Sequence, residues 1–309
     1  MEYRMKIERK PLIWFLAIAF GLAWILFVVP LAFRQSAPTS TQLIYTLFWS
    51  LAMWAPGLGA LLATRYAARE SLRTLNLGRL GEKRAYLWAW LLPPALAIAT
   101  GLLTLAFGAG KLDLQFTMIK QAMASAPGAE TIPTWMVVAI QSAVALTIGP
   151  LINTLFALGE ELGWRGFLLP RLLPLGQWRA IALSGAIWGV WHAPAILQGH
   201  NYPGRPVVGI FMMIVFCVLS GAILSWLYLR TRSPWAPALA HGSLNATAGL
   251  PILFLSGVDI SIGGTVASLI GWVPLALFVA WLVWTRRLPV ATGEMSQAAA
   301  PALEHSSAD

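Results

Sequence analysis

The sequence is poor in charge. Of its 309 residues, only 21 are Lys or Arg and 12 are Asp or Glu, whereas a soluble domain carries charge on about a quarter of its residues. There is one cysteine, Cys217, so no intrachain disulfide can form and no Cys-based metal motif exists. No His-Glu-x-x-His helix is present and no internal repeat is visible. The basic residues flank apolar segments and do not gather in one domain, so the net charge of +9 is no nucleic-acid footprint. What the chain has instead is apolar: 58% hydrophobic residues and 16 Trp. A disordered chain would not hold this apolar content and a soluble one would have nowhere to hide it. These residues are expected to face lipid.

A helix needs about 20 apolar residues to cross about 30 Å of hydrocarbon. Eight segments qualify: 11–33, 42–64, 85–109, 134–158, 180–199, 207–229, 235–255 and 265–284. They predict an all-α polytopic bundle of about eight transmembrane helices. The first outlasts the roughly 7–15 apolar residues of a signal peptide and is expected to stay as a helix. With the N-terminus inside, most Lys and Arg fall in inside connections, and only Arg34, Lys111, Lys120 and Arg205 fall outside. That asymmetry predicts both termini on the cytoplasmic side of a multi-pass protein, in a bacterial-type cytoplasmic membrane. The chain divides into 1–133, 134–287 and a polar tail at 288–309 that is expected to be disordered, all within one membrane domain. Pro93, Pro94, Pro150 and Pro274 fall inside expected spans and should kink or break them. The tryptophans read mostly as interfacial or lipid-facing side chains, and Cys217 as packing.

Chemistry is concentrated in the second half. All acidic residues except Glu160 and Glu161 fall in termini or connections; these two lie in the apolar stretch 151–169. A carboxylate at membrane depth costs several kcal/mol unless it faces a polar cavity. Arg165 follows Glu161 by four residues, which places both on one helical face where a charge-assisted pair can form. Glu160 points about 100° away and is left free. Farther on, Trp188 and His192 share a face at i,i+4, as do His241 and Asn245. Each feature has a plain reading: a snorkelling helix end for the glutamates, or interhelical hydrogen bonds for the histidines. Their concentration in three helices of one half argues for function.

Glu160-Glu161-x-x-x-Arg165, then Trp188-x-x-x-His192, then His241-x-x-x-Asn245 resemble the ordered motifs of the CPBP, or Abi, family of intramembrane proteases. That family includes CaaX prenyl endopeptidases and bacterial proteins linked to bacteriocin immunity and maturation. The likeness covers about residues 134–255. The family's second motif usually has Phe where this chain has Trp188, an exchange expected to preserve packing. The resemblance implies an endopeptidase acting on a membrane-anchored peptide or protein, prenylated or carrying a leader. Glu160 and His192 would activate a water, His241 and Asn245 would hold the oxyanion, and Glu161 and Arg165 would support them. Two mechanisms follow: a metal-free glutamate mechanism, which is preferred, and a zinc site of Glu160, His192 and His241 with water in the fourth position.

Glu160 and His192 can meet only if the fourth helix is bent, for which Pro150 is the expected place, or if the fifth begins outside the hydrocarbon. An amphipathic stretch near 168–175 and a site open to the cytoplasm or to lipid are expected. A proton-coupled transporter would also carry Glu, His and Arg in helices but usually shows inverted repeats. A non-catalytic immunity or scaffold protein would keep the fold without needing the residues.

Overall fold

The computed structural model describes residues 7–33, 38–124 and 131–291. Arg34, Glu130, His305 and the tail from 292 on lie outside the described residues. The described chain is helical almost throughout: α1 (Arg9–Val28), α2 (Pro38–Ala52), α3 (Ala55–Leu62), α4 (Arg84–Ala106), α5 (Thr117–Ala124), α6 (Thr134–Leu146), α7 (Ile148–Glu161), α8 (Leu169–Leu172), α9 (Gln177–Trp191), α10 (Ala193–Leu197), α11 (Pro206–Thr231), α12 (Trp235–Thr247) and α13 (Trp272–Trp284). Among the described residues the strands are β1 (Lys111–Leu112) and β2 (Leu255–Ser256), which pair antiparallel.

Among the described residues, four stretches are long and apolar enough to cross a membrane: Arg9–Phe33, Ser40–Ala68, Arg84–Ala106 and Pro206–Thr231. A fifth is formed if α6 and Ile148–Leu175, bent by 47°, are taken together. The other three expected segments are helical but shorter, for local reasons. Segment 180–199 breaks at His192, because Pro194 has no N–H to offer the Val190 carbonyl. Segment 235–255 leaves the α-helix at Thr247, four residues before Pro251. Segment 265–284 becomes helical only at Trp272, with Pro274 in the first turn, where a missing N–H is harmless.

The fourth helix does bend, but at Thr147. Pro150 sits in the first turn of α7 and starts that helix. The Leu146 carbonyl, which Pro150 cannot serve, accepts the Trp90 indole N–H at 3.0 Å. Pro93 and Pro94 lie inside an uninterrupted α4. There the Trp90 carbonyl, deprived of Pro94 as donor, accepts the Ser243 hydroxyl at 2.9 Å. Neighbouring helices thus satisfy backbone that lipid could not. The first repair ties α4 to the end of α6, and the second ties it to α12, which carries His241 and Asn245.

The connections form two tied sets. In one, Arg171 pairs with Glu70 at 2.6 Å and Arg230 with Glu82 at 2.7 Å. Arg79 donates to the Thr231 carbonyl, and the Gln177 side chain meets the Val290 backbone. In the other, β1 meets β2, Arg205 pairs with Asp259 at 2.6 Å, and the Tyr202 hydroxyl donates to the Ala267 carbonyl at 2.8 Å. The first set gathers the arginine-rich connections, and the second holds the remainder.

Candidate active site

Glu160 and Glu161 are the last residues of α7, 2% and 0% exposed. The chain then widens into a π-helical stretch, Leu162–Leu168, a distortion that recurs at functional sites. Gly159 and Gly163 flank the pair one turn apart. A Cβ on Gly159 would come within 2.7 Å of the Met53 carbonyl, and one on Gly163 within 2.5 Å of Pro56. Only glycine lets α7 and its extension cross α3 this closely. Across the helix, a Cβ on Gly242 would strike the Thr154 backbone nitrogen at 2.5 Å, so α12 lies equally close and brings His241 to the pair.

The two acids have different neighbours. Glu161 Oε1 accepts from Arg165 Nη1 at 2.7 Å, as the spacing predicts, and faces His241 Nδ1 at 2.9 Å. The arginine contact is single: Glu161 Oε2 and Arg165 Nε are buried without a hydrogen-bond partner. Glu160 is not left free. Its Oε2 accepts the Trp188 indole N–H at 2.6 Å and the Trp164 indole N–H at 3.3 Å.

Trp188 therefore does more than pack. Its indole donates to Glu160, the Arg165 guanidinium lies 4.5 Å from its ring centre, and the His241 ring meets it edge-on at 5.2 Å. Its backbone carbonyl accepts from His192 Nδ1 at 2.9 Å. Trp164, Trp188, Trp191 and Trp226 are among the most deeply buried side chains, which corrects the interfacial reading for these four. Trp191 donates to the Ala19 carbonyl at 3.0 Å and receives the Trp24 indole on its own carbonyl at 3.1 Å, so α1 is bonded to the helix bearing His192.

Hydrogen-bond partners assign the histidine nitrogens. A carbonyl only accepts, so His192 Nδ1 carries the proton and the neutral ring keeps Nε2 as an acceptor. His241 Nδ1 donates to the Glu161 carboxylate, and Nε2 becomes a second donor when the ring is doubly protonated. Glu160 makes no direct hydrogen bond to either ring among the described residues. All three instead line one cavity of about 460 Å³, with Asn245 exposed one turn beyond His241. Glu161 and Arg165 are absent from its lining and sit behind it. The walls are largely apolar, including Phe27, Trp49, Met53, Met213 and Phe216. His200 and Asn201 also line the cavity, although the sequence places His200 in a connection with no partner motif; the His200 ring meets Trp49 at 5.1 Å.

Among the described residues, no three His, Cys, Asp or Glu side chains gather in a set that would hold a metal ion. The zinc arrangement of Glu160, His192 and His241 thus finds no ready ligand set, and no step below is routed through a metal.

No curated protein matches the chain. Residues 141–247, which run through both glutamates, Arg165, Trp188, both cavity histidines of the motifs and Asn245, match the family model described as type II CAAX prenyl endopeptidase Rce1-like. The match supports peptidase activity, and together with the long apolar helices it makes this a multi-pass integral membrane protein. Residues 141–247 of the chain thus match an Rce1-like domain, in agreement with the CPBP resemblance of its motifs.

Proposed function

We propose that the protein is an intramembrane endopeptidase that hydrolyses a membrane-anchored polypeptide, prenylated or leader-bearing, with a water activated by Glu160 and His192. The observation that carries this is the shared cavity: Glu160, His192, His241 and Asn245 line it, while Glu161 and Arg165 are sealed behind. Two indole donors hold Glu160 by Oε2, which leaves Oε1 for the water. His192 offers Nε2 as a second acceptor. The water oxygen adds to the scissile carbonyl carbon and its proton passes to this pair. His241, held by Glu161, and the Asn245 amide donate to the oxyanion. The proton then returns to the leaving amine as the C–N bond breaks.

The same reading extends to topology: eight crossings, with both termini on the cytoplasmic side of a bacterial-type membrane. The alternation of the two tied sets of connections along the chain supports it. One membrane domain would then include 1–133 as well as 134–287.

Glu160→Gln and His192→Ala test the reaction on a lipid-linked peptide in proteoliposomes. A lost general base removes about 10²–10⁴-fold in rate, and both variants are expected to insert and fold as wild type does. Full activity in a folded Glu160→Gln protein would refute the assignment. Proton flux in the same liposomes, without proteolysis, would favour a transporter, and neither activity a scaffold or immunity protein.

A further inference from the structure

The cavity and the arginine-rich connections occupy different ends of the bundle. From Glu160 and His241 the cavity runs to Phe27, His200, Gly249 and Thr265. Phe27 is at the C-terminal end of α1, His200 in the connection to α11, Gly249 just past α12, and Thr265 in the connection before α13. These connections belong to the set tied by Arg205–Asp259, Tyr202–Ala267 and the strand pair. No lining residue comes from the connections bearing Arg73, Arg79, Arg171 or Arg230. Toward that basic end the path from Glu160 is filled: Leu162, Trp164, Arg165, Phe167 and Leu168 are all at most 1% exposed. Helix continues from Glu160 to Leu175, 15 residues or about 20 Å at an α-helical rise.

The positive-inside rule makes the arginine-rich end cytoplasmic. We infer that the site is served from the extracytoplasmic side, and that its substrate is a membrane-anchored polypeptide whose scissile segment has reached that side. A peptide tail that stays in the cytoplasm faces the packed end. This differs from the opening to the cytoplasm or to lipid expected from sequence. The walls come instead from the far ends of α1, α9 and α12. The side of access rests on the cavity and the charge asymmetry alone; the substrate class rests also on the endopeptidase reading.

Single-cysteine labelling separates the two. Cys217 is buried, so the wild-type protein supplies the blank. Thr46→Cys and Thr265→Cys place a thiol on the cavity lining, and Arg73→Cys places one in an exposed connection of the basic end. With a membrane-impermeant maleimide on intact cells, the first two should label and the third should label only after permeabilisation. The opposite pattern, or cavity thiols that react only after permeabilisation, would overturn the inference. Labelling needs no activity, so a Glu160→Gln background should behave identically even if no proteolysis is ever found. As a second readout, a single-span reporter with its cleavable segment exported should be cut, and one with the same segment in the cytoplasm should not. Cutting of the cytoplasmic reporter alone would contradict the proposal.

Discussion

Glu160 and Glu161 are neighbours in sequence, yet they belong to different regions of the molecule. Around Glu161 the protein is closed: one carboxylate oxygen meets Arg165 and His241, and nothing there lines the cavity. Around Glu160 it is open on one side, with indole donors at its back and the cavity before it. Adjacent acids point about 100° apart on a helix, so a single turn can serve a structural job and a chemical one. Under the proposed reaction, the ionic region would hold His241 and Trp188 in place, and the indole region would hold Glu160 by neutral donors.

The comparison breaks most visibly at the ionic side. Arg165→Ala leaves Glu161 buried without its cation, a change that costs about 3–5 kcal/mol in buried pairs. Detergent-solubilised protein should therefore melt well below wild type. Wild-type stability would mean that the buried Arg165–Glu161 pair contributes nothing net to the fold. Arg165→Lys keeps charge but loses the flat face over the Trp188 ring, so it should fall between the two.

On the cavity side, Asn245→Ala should lose about 2.7–4 kcal/mol of transition-state stabilisation, as for a single oxyanion donor. Because the Asn245 side chain is exposed and makes no hydrogen bond among the described residues, the melting temperature of the variant should not move. A loss in KM alone would contradict the oxyanion role.

Trp188→Phe sharpens the comparison at the boundary between the two regions. An aromatic ring beside Arg165 and His241 is kept, while the N–H to Glu160 and the second ring of the indole are lost. A hydrogen bond to a charged group is worth about 1.5–3 kcal/mol, so kcat should fall by more than stability does, with KM unchanged. If stability falls as far as kcat, the indole is packing and nothing more.

The smallest effect lies at the cavity end. Backbone donation from Ser261, followed by the Arg205 ion pair, lowers the Asp259 pKa below the ordinary carboxylate value. A lowered folded pKa means that the contribution is present above the unfolded value and lost as pH falls through the folded one. Proteolytic nicking of the 198–205 and 256–264 connections should rise in acid, and Asp259→Asn should show that sensitivity at neutral pH. Identical nicking of wild type and variant at both pH values would remove this tie from the account.

Much of this was legible in the sequence because it is short-range. The spacing of Glu161 and Arg165 predicts their pair, and the apolar runs predict helices in all eight places. The connections expected to share a side are the ones that bond to one another, as Arg171 with Glu70 and Arg230 with Glu82 show. What the sequence hid depends on packing between distant segments. Trp188 reaches Glu160 across 28 residues, and the close crossings at Gly159, Gly163 and Gly242 likewise join segments far apart in the chain. Likewise His200 enters the cavity wall just past the end of α10, where its ring meets that of Trp49. Pro150 was visible, but a proline that begins a helix and one that kinks it look alike until the preceding turn is seen.

The most direct test of the central claim compares Glu160→Gln with Glu161→Gln under identical conditions, measuring cleavage of a membrane-anchored peptide and thermal melting on the same preparations. The account predicts that Glu160→Gln melts like wild type and does not cleave, while Glu161→Gln loses both stability and cleavage. A Glu160→Gln protein that is folded and still cleaves would contradict it.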